Sequence, residues 1–306
     1  MTDTFPQRSR RQVVGDIRRY LLAAEALPTP HGTAAKLIEI ARDERASLDD
    51  SVRVLRSDPA LTGFVLRAAR AARFGATPAG LDLKGAVQRL GLDVIRAHAL
   101  ALSLISQPAR PHCPGFDYTR FWIGALHKAV LTEALVRHGV ARAAGDAFSL
   151  GLLADVGRLA FATASPRAYA TVLAQTAGRD DELAARERTT FGFDHHELSA
   201  VLLADWQLPI ALADVVYWQR DPEGGGATAG STQHRLAGVL QLAEALSRGA
   251  LDAGHDGGDD ALALAALRAA ILGLEADTMH QILADSLPAL RDWTGLVGLP
   301  VPLLHT

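Results

Sequence analysis

Cysteine and lysine are both scarce in this sequence. Cys113 is the only cysteine among 306 residues, which excludes an intrachain disulfide and a cysteine-rich zinc site. Of the 31 basic residues only Lys36, Lys84 and Lys128 are lysines, and the others are arginines. Arginine forks can bind the phosphates of a signalling nucleotide, but no stretch of the sequence clusters them closely enough to define such a site.

Long apolar runs and a strong net charge are also absent. No apolar run reaches the roughly 18 residues of a membrane span, and the first residues lack the apolar core of a signal peptide. The formal charge is −3, so no global field attracts nucleic acid or an anionic membrane. We therefore expect a cytoplasmic protein that has neither nucleic acid nor a membrane as a partner, and the sequence indicates no cofactor.

Strand patterns are lacking as well. Alternating β-branched runs are absent, and nearly every segment repeats its apolar residues at helical spacing. Aromatic residues make up only 6%, and Ala, Leu and Val supply most of the apolar content, as in packed helices. The fold class is therefore predicted to be all-α. A proline-rich linker at 107–115 divides residues 1–107 from residues 108–306, and a glycine-rich linker at 221–231 precedes a helical tail.

The stretch 148–166 is predicted to be one buried helix, because its apolar residues recur at steps of three and four. Asp155 lies within it. A buried carboxylate is costly unless it is paired, so Asp155 either binds a metal, joins two helices or lies at a rim. The partners that the sequence offers are Arg158, His127, His195 and backbone amides.

Short segments spread along the chain are informative as an ordered set. They are Leu27-Pro28, Ser57-Asp58-Pro59-Ala60-Leu61-Thr62, Ala86-Val87-Gln88-Arg89-Leu90-Gly91, Phe121-Trp122, Gly151-Leu152-Leu153-Ala154-Asp155-Val156-Gly157, Glu187, Phe191-Gly192, Asp194-His195, Trp206 and Leu208-Pro209. This set, over about residues 20–220, resembles the HDOD domain, a bacterial signalling relative of the HD phosphohydrolase superfamily. The resemblance implies an N-terminal helical subdomain packed on an HD-like helical subdomain, which with the tail fills residues 108–306.

The positions that bind metal in catalytic HD proteins are mostly substituted here. The resemblance implies that an early histidine of the family falls on Gly124. It also implies that the histidine of the His-Asp pair falls on Ala154, which leaves Asp155 without that neighbour. A later histidine is retained as His195.

The last marked position carries Trp218-Gln219 where the family often has a histidine pair. An indole at this place is expected to plug the former metal cavity and leave a closed, apolar pocket. The candidates to replace a lost ligand are His127, His196 and Glu244. A metal-dependent hydrolase needs at least three converging protein ligands, so we predict that no metal is bound and that the site is a structural relic.

These departures favour a non-catalytic signal-transduction or regulatory module, which acts by binding a protein partner of a bacterial signalling pathway or a small ligand. Two alternatives remain open. A metal-dependent phosphohydrolase or cyclic-nucleotide phosphodiesterase could use an altered site around Asp155. A scaffold could instead bind a cyclic dinucleotide through arginines. Metal content and nucleotide binding discriminate among the three.

Overall fold

A computed structural model describes most of the chain. It covers residues 9–24, 26–43, 45–69, 82–106, 112–141, 147–176, 180–221, 228–252 and 256–300. Within these ranges the regular structure is helical and no strand is formed, which confirms the all-α prediction. The predicted division at residue 107 lies outside the described residues, as do parts of both predicted linkers.

Helices of the N-terminal layer begin and end where the sequence supplies a cap. Ser47 and Asp50 form a capping box, and the Gly85 amide donates a hydrogen bond of 2.8 Å to Asp82. Gly91 ends its helix with φ +87°, a backbone conformation that favours glycine. The helices of this layer are α1 (Arg10–Ala23), α2 (Gly32–Arg42), α3 (Leu48–Arg56), α4 (Pro59–Ala69), α5 (Leu83–Leu90) and α6 (Leu92–Ile105).

A central layer and a helical tail follow. The tail is part of the same packed body, because α14 and α16 both pack against α7. The central helices are α7 (Tyr118–Arg137), α8 (Ala147–Leu153), α9 (Val156–Ala164), α10 (Pro166–Thr176), α11 (Asp180–Phe191), α12 (His195–Asp205) and α13 (Ile210–Trp218). The tail consists of α14 (Thr232–Leu251), α15 (Asp256–Leu272) and α16 (Ala276–Leu296).

The described chain buries two apolar cores that meet along α6. Ile95 and Ala99 of α6 belong to the smaller core, which α2 to α6 enclose. Leu100 and Leu104 of the same helix belong to the larger core of the central layer and tail. The partly buried Trp293 of α16 packs against both cores. The N-terminal helices therefore pack directly on the remaining helices.

The prediction of a single helix at 148–166 is wrong. The chain forms α8 and α9, separated by a turn at Ala154 and Asp155. Asp155 has φ −112° and ψ 17°, outside the helical range. Apolar periodicity continues across the turn because it records which side chains are buried, and it does not record whether the backbone hydrogen bonds continue.

The same region bears on the expectation about membrane spans. Within the described residues, Ala147–Ala164 is long and apolar enough to cross a membrane by length and composition. However, 78% of this stretch is buried inside the fold. A buried core segment passes the same test of length and composition, so the stretch is weak evidence for a span.

Candidate functional site

A close approach between α9 and α12 creates the site. A side chain on Gly157 would place its Cβ 2.1 Å from the carbonyl oxygen of His195, so only glycine fits. The Gly157 amide donates to the Ser199 hydroxyl at 2.8 Å, and that hydroxyl donates to the His195 carbonyl oxygen at 2.7 Å. This contact brings Asp155, at the start of α9, beside His195 and His196, at the start of α12.

Lys128 of α7 is the principal partner of Asp155. Its ammonium nitrogen lies 2.7 Å from Asp155 Oδ2 and 3.0 Å from Glu244 Oε2 of α14. The lysine side chain is only 2% exposed, whereas the side chains of Asp155 and Glu244 are 15% and 34% exposed. One buried ammonium therefore joins two carboxylates from different parts of the chain.

The charges of this group stabilise one another. Burial alone would lower the pKa of Lys128, but Asp155 and Glu244 together raise it to about 12. Burial would raise the pKa of Asp155, but Lys128 and then His195 outweigh it and hold that pKa below its ordinary value. At neutral pH the lysine is therefore an ammonium ion and the aspartate a carboxylate.

His195 is held by Glu187 of α11. Glu187 Oε2 accepts hydrogen bonds from the His195 backbone amide at 2.8 Å and contacts its Nδ1 at 2.6 Å. The other oxygen of Glu187 accepts a bond of 3.0 Å from the Tyr169 hydroxyl. Burial would lower the pKa of His195, but Glu187 reverses this and raises it. The pair fixes both the orientation and the charge of the imidazole.

His196 has the opposite protonation behaviour although it is the next residue. Its Nε2 lies 3.6 Å from Asp155 Oδ1, and its ring centroid lies 3.9 Å from that of His195. Burial lowers the pKa of His196 well below its ordinary value, and the neighbouring charges of His195 and Lys128 lower it further. His196 is therefore neutral at physiological pH.

Asp194 caps α12. Its carboxylate accepts hydrogen bonds from the amides of His196 and Glu197, each at 2.9 Å. Glu197 returns a capping-box contact by accepting from the Asp194 amide at 2.8 Å. Arg188 of α11 lies 2.6 Å from Asp194. This cap fixes the first turn of α12, on which both histidines stand.

The residues fit a metal ion only in part. Asp155, His195 and His196 offer ligand atoms that all lie within 4.8 Å of one another, which is a sufficient number of donors. However, Lys128 contacts the same carboxylate, and two unit cations about 4 Å apart repel by about 4 kcal/mol in partly buried surroundings. The raised pKa of His195 also opposes metal binding, because a ligand must be deprotonated. A resident divalent ion therefore does not fit while Lys128 is in place.

The site opens into a cleft of about 180 Å³. Its polar lining includes Lys128, Asp155, His195, His196, Gln219 and Glu244. The prediction that Trp218 plugs a closed, apolar pocket is wrong. Trp218 is partly exposed, does not line this cleft and makes an edge contact of 4.8 Å with the ring of Tyr217. Successive helical residues diverge by about 100°, so Gln219 lines the cleft and Trp218 does not.

The other sequence-predicted positions divide into those that reach the cleft and those that do not. Gly124 lies one turn before Lys128 on α7 and is absent from the lining, as is the fully buried Ala154. His127, a candidate replacement ligand, is also absent from the lining, because its Nε2 bonds Ser286 Oγ of α16 at 2.8 Å. Burial lowers the pKa of His127 to about 4. Of the replacement candidates, only His196 and Glu244 reach the cleft.

Lys128 was not predicted at this site, although the sequence carries a signal for it. It stands on α7 between Leu126 and Ala129, which are both buried, and it is one of only three lysines in the chain. A charged residue in the middle of an apolar helix needs a buried partner. Asp155 is likewise a charged residue in an apolar segment and needs a buried partner. Opposite charges on the two residues would therefore have suggested that Lys128 and Asp155 form a pair.

Comparisons with known proteins agree with this architecture. The chain matches the family model of the HDOD domain over residues 27–222. It is 33% identical to the response regulator MmoQ from Methylococcus capsulatus, and the match covers 83% of this chain and 96% of that one with a TM-score of 0.50. A protein of Shewanella amazonensis that is provisionally named a phosphohydrolase is 22% identical, with coverages of 94% and 95% and a TM-score of 0.59. At that identity the likeness shows the fold alone.

A longer relative is an uncharacterised protein of Treponema pallidum. It is 27% identical over 184 residues, which are 57% of this chain. The chain spans about a third of that relative's length, since the match covers 34% of it. The likeness therefore concerns one segment of a longer protein.

Proposed function

The chain belongs to the HDOD family, and from this premise we propose that it is a regulatory module of a bacterial signalling system that acts by binding and not by metal-dependent hydrolysis. The contact that carries the proposal is the one between Lys128 and Asp155, at 2.7 Å. An ammonium ion supplies there the positive charge that a metal supplies to a carboxylate ligand. Unlike a metal, it has no open coordination position for a water molecule.

The remaining polar groups support the same proposal. Glu244 pairs with the same ammonium group of Lys128, and Glu187 forms a hydrogen bond with Nδ1 of His195. The acidic groups near Asp155 are thus used in fixed pairs, which is the arrangement of a structural network. As a regulatory module the protein would act in the cytoplasm on a protein partner, and the kinship with the response regulator MmoQ of Methylococcus capsulatus is consistent with such a role.

A second candidate function is a metal-dependent phosphohydrolase. The observation that favours it is the convergence of ligand atoms of Asp155, His195 and His196 within 4.8 Å. This function would require Lys128 to leave Asp155, and His195 to lose its proton, when the ion binds.

Metal analysis of matched variants separates the two candidates. Wild type, Lys128→Ala and the double variant Lys128→Ala/Asp155→Asn are incubated with Mn²⁺, Fe²⁺ or Zn²⁺, desalted, and assayed for bound metal by mass spectrometry. We expect wild type to retain no stoichiometric ion, because the ammonium repels it. Lys128→Ala is expected to retain more metal than either other protein, with circular dichroism showing that all three are folded.

Hydrolysis of p-nitrophenyl phosphate and its bis-ester is measured on the same samples. The proposal fails if wild type retains one ion per chain and hydrolyses either ester in a manner that Asp155→Asn abolishes. It also fails if removal of Lys128 leaves metal retention unchanged in a folded protein.

A further inference from the structure

Several arginines line the cleft beside Lys128 and its partners Asp155 and Glu244, although they are far apart in the sequence. They come from α9, from the segment after α13, from α14 and from α15, and they are Arg158, Arg220, Arg248 and Arg268. The carboxylates in the lining are Asp155 and Glu244, and both already contact Lys128. The lining thus brings four guanidinium groups and the ammonium group of Lys128 to one cleft, an arrangement suited to an anion.

Two buried donors in the lining have no acceptor among the described residues. Gln219 is only 3% exposed, and its amide nitrogen Nε2 has no hydrogen-bond partner there. The backbone carbonyl of Gln219, by contrast, accepts from the Gln241 side chain. The buried Nε of Arg268 likewise lacks an acceptor. An unsatisfied buried donor costs about 1–3 kcal/mol, so both groups would gain from a ligand that supplies acceptor oxygens.

His196 and Lys128 also lie in the lining. Lys128 is held by two carboxylates and remains in place as a positive charge at the cleft.

One wall of the cleft is apolar. It is formed by Leu240 and Ala245 of α14 and by Ala261 and Leu264 of α15. Leu264 is 42% exposed, which leaves apolar surface open next to the arginines. A ligand that combines a charged group with a flat apolar group would cover both surfaces.

The size of the cleft limits the ligand. Its volume of about 180 Å³ is below the roughly 300 Å³ at which pockets begin to enclose drug-sized molecules. A phosphate group and part of the group attached to it fit this volume. A cyclic dinucleotide would remain mostly outside, which argues against the cyclic-dinucleotide scaffold.

We propose that this cleft binds a small phosphate monoester, with the phosphate contacting Arg248, Arg268 and Gln219 and the attached apolar group lying against Leu264. A nucleoside monophosphate has this chemistry. Planar guanidinium groups bind phosphate oxygens in pairs, and the amide of Gln219 donates to a further oxygen. The inference deepens the proposed function and rests on it in one respect, since the ligand is bound and released without hydrolysis.

Calorimetry on the full chain tests the inference. Wild type is titrated with AMP, GMP, inorganic phosphate, sulfate and cyclic dimeric GMP at constant ionic strength and with EDTA present. We expect a single site for the nucleoside monophosphates, with an affinity about tenfold or more above that for inorganic phosphate because of the apolar wall. The charge-neutralising variant Arg248→Gln/Arg268→Gln should bind about tenfold or more weakly.

The matched control is Arg56→Gln/Arg137→Gln, which removes the same charge from exposed helix positions outside the cleft. It should bind as wild type does. The inference is overturned if no nucleoside monophosphate gives heat, or if the cleft variant binds as tightly as the control. Equal affinity for inorganic phosphate would support the phosphate site and overturn the role of Leu264. Tightest binding of cyclic dimeric GMP would overturn the monoester assignment.

Failure of the inference and failure of the proposed function give different results. Absence of binding overturns the cleft assignment and leaves the regulatory role untouched. Release of inorganic phosphate from AMP when EDTA is replaced by Mn²⁺, if it is lost in Asp155→Asn, overturns the non-catalytic role and leaves the binding site in place.

Discussion

The two apolar cores differ in what they bury. In the described part of α2 to α5, which form most of the smaller core, Ser51 is the buried polar residue, and no carboxylate or ammonium group is buried there. On α6, which borders both cores, Ser103 bonds His31, and His98 bonds the Val94 carbonyl oxygen. The larger core surrounds buried ionisable residues, namely His127, Lys128, Glu187, Asp194, His195, His196 and Glu197.

The smaller core therefore contributes mainly to stability, whereas the larger core also contains the candidate site. Burying an ion pair is often no more stabilising than burying apolar residues of similar volume. The smaller core shows that these helices pack without such groups. The ionisable cluster of the larger core therefore marks a candidate site, since groups with perturbed pKa values cluster at functional sites.

The largest expected effect is that of Lys128→Met, which tests whether the two cores depend on charge to different degrees. The substitution keeps the apolar stem but removes the principal counter-charge of Asp155 and the ammonium that contacts Glu244, which should cost about 3–5 kcal/mol of unfolding free energy. Urea unfolding measures this. The reference in the smaller core is the fully buried Leu55, where Leu55→Ala should cost about 2–5 kcal/mol through loss of packing.

The pH dependence of the two variants distinguishes the mechanisms. In wild type the lowered pKa of Asp155 contributes stability above its unfolded pKa, and this contribution is lost as pH falls through the folded pKa. Without Lys128, burial raises that pKa, so the cost of Lys128→Met should shrink as pH falls from 7.5 to 5. The cost of Leu55→Ala should stay constant. Equal pH dependence would contradict the comparison.

The next effect concerns how tightly the helices around the site approach. Gly157→Ala would bring a Cβ 2.1 Å from the His195 carbonyl oxygen. We expect a loss of about 3 kcal/mol in unfolding free energy, because backbone and not a flexible side chain must move. Gly63→Ala in α4 is the control, since no atom of the described residues lies within 4 Å of its added Cβ. It should stabilise the protein by up to about 1 kcal/mol.

Thermal unfolding monitored by circular dichroism checks both glycine variants. A Gly157→Ala protein as stable as Gly63→Ala would show that the approach of α9 to α12 is not constrained as described.

The smallest of these effects tests the buried histidine of α7. Burial lowers the pKa of His127 to about 4, so the unfolded chain takes up a proton below about pH 6.5 that the folded chain does not. Stability should therefore fall as pH falls from about 6.5 to about 4. At pH 5 the loss due to His127 is about 2 kcal/mol.

Urea unfolding of His127→Gln at pH 7 and pH 5 measures this contribution. The glutamine can still bond Ser286 but does not titrate, so the variant should lose about 2 kcal/mol less than wild type on acidification. His280→Gln, at an exposed position of α16, is the control and should keep the wild-type dependence. Identical losses in wild type and His127→Gln would refute the assignment.

Much of the fold was predictable because its signals are local. The capping boxes, the stop at Gly91 and the cap at Asp194 depend on residues within three or four positions of one another. The order of the short motifs predicted the family, and the family model confirms it. The continuous helix at 148–166 was a wrong prediction, because periodicity does not report a break in the backbone.

The site was predictable only in outline. Asp155 and His195 were marked by their motifs, yet the plug at Trp218 was wrong because one residue of register on a helix changes the direction of a side chain by about 100°. The partners Lys128 and Glu244 come from α7 and α14, and sequence spacing gives no measure of the distance between helices.

By itself the sequence determined the helical class, the helix caps and the family, since each depends on neighbouring residues and on the burial pattern. Only the tertiary structure decided that Lys128 occupies the position beside Asp155, and that four arginines from separate segments line one cleft. Electrostatic interactions depend on distance in space, and the packing of α7, α9, α12, α14 and α15 fixes those distances.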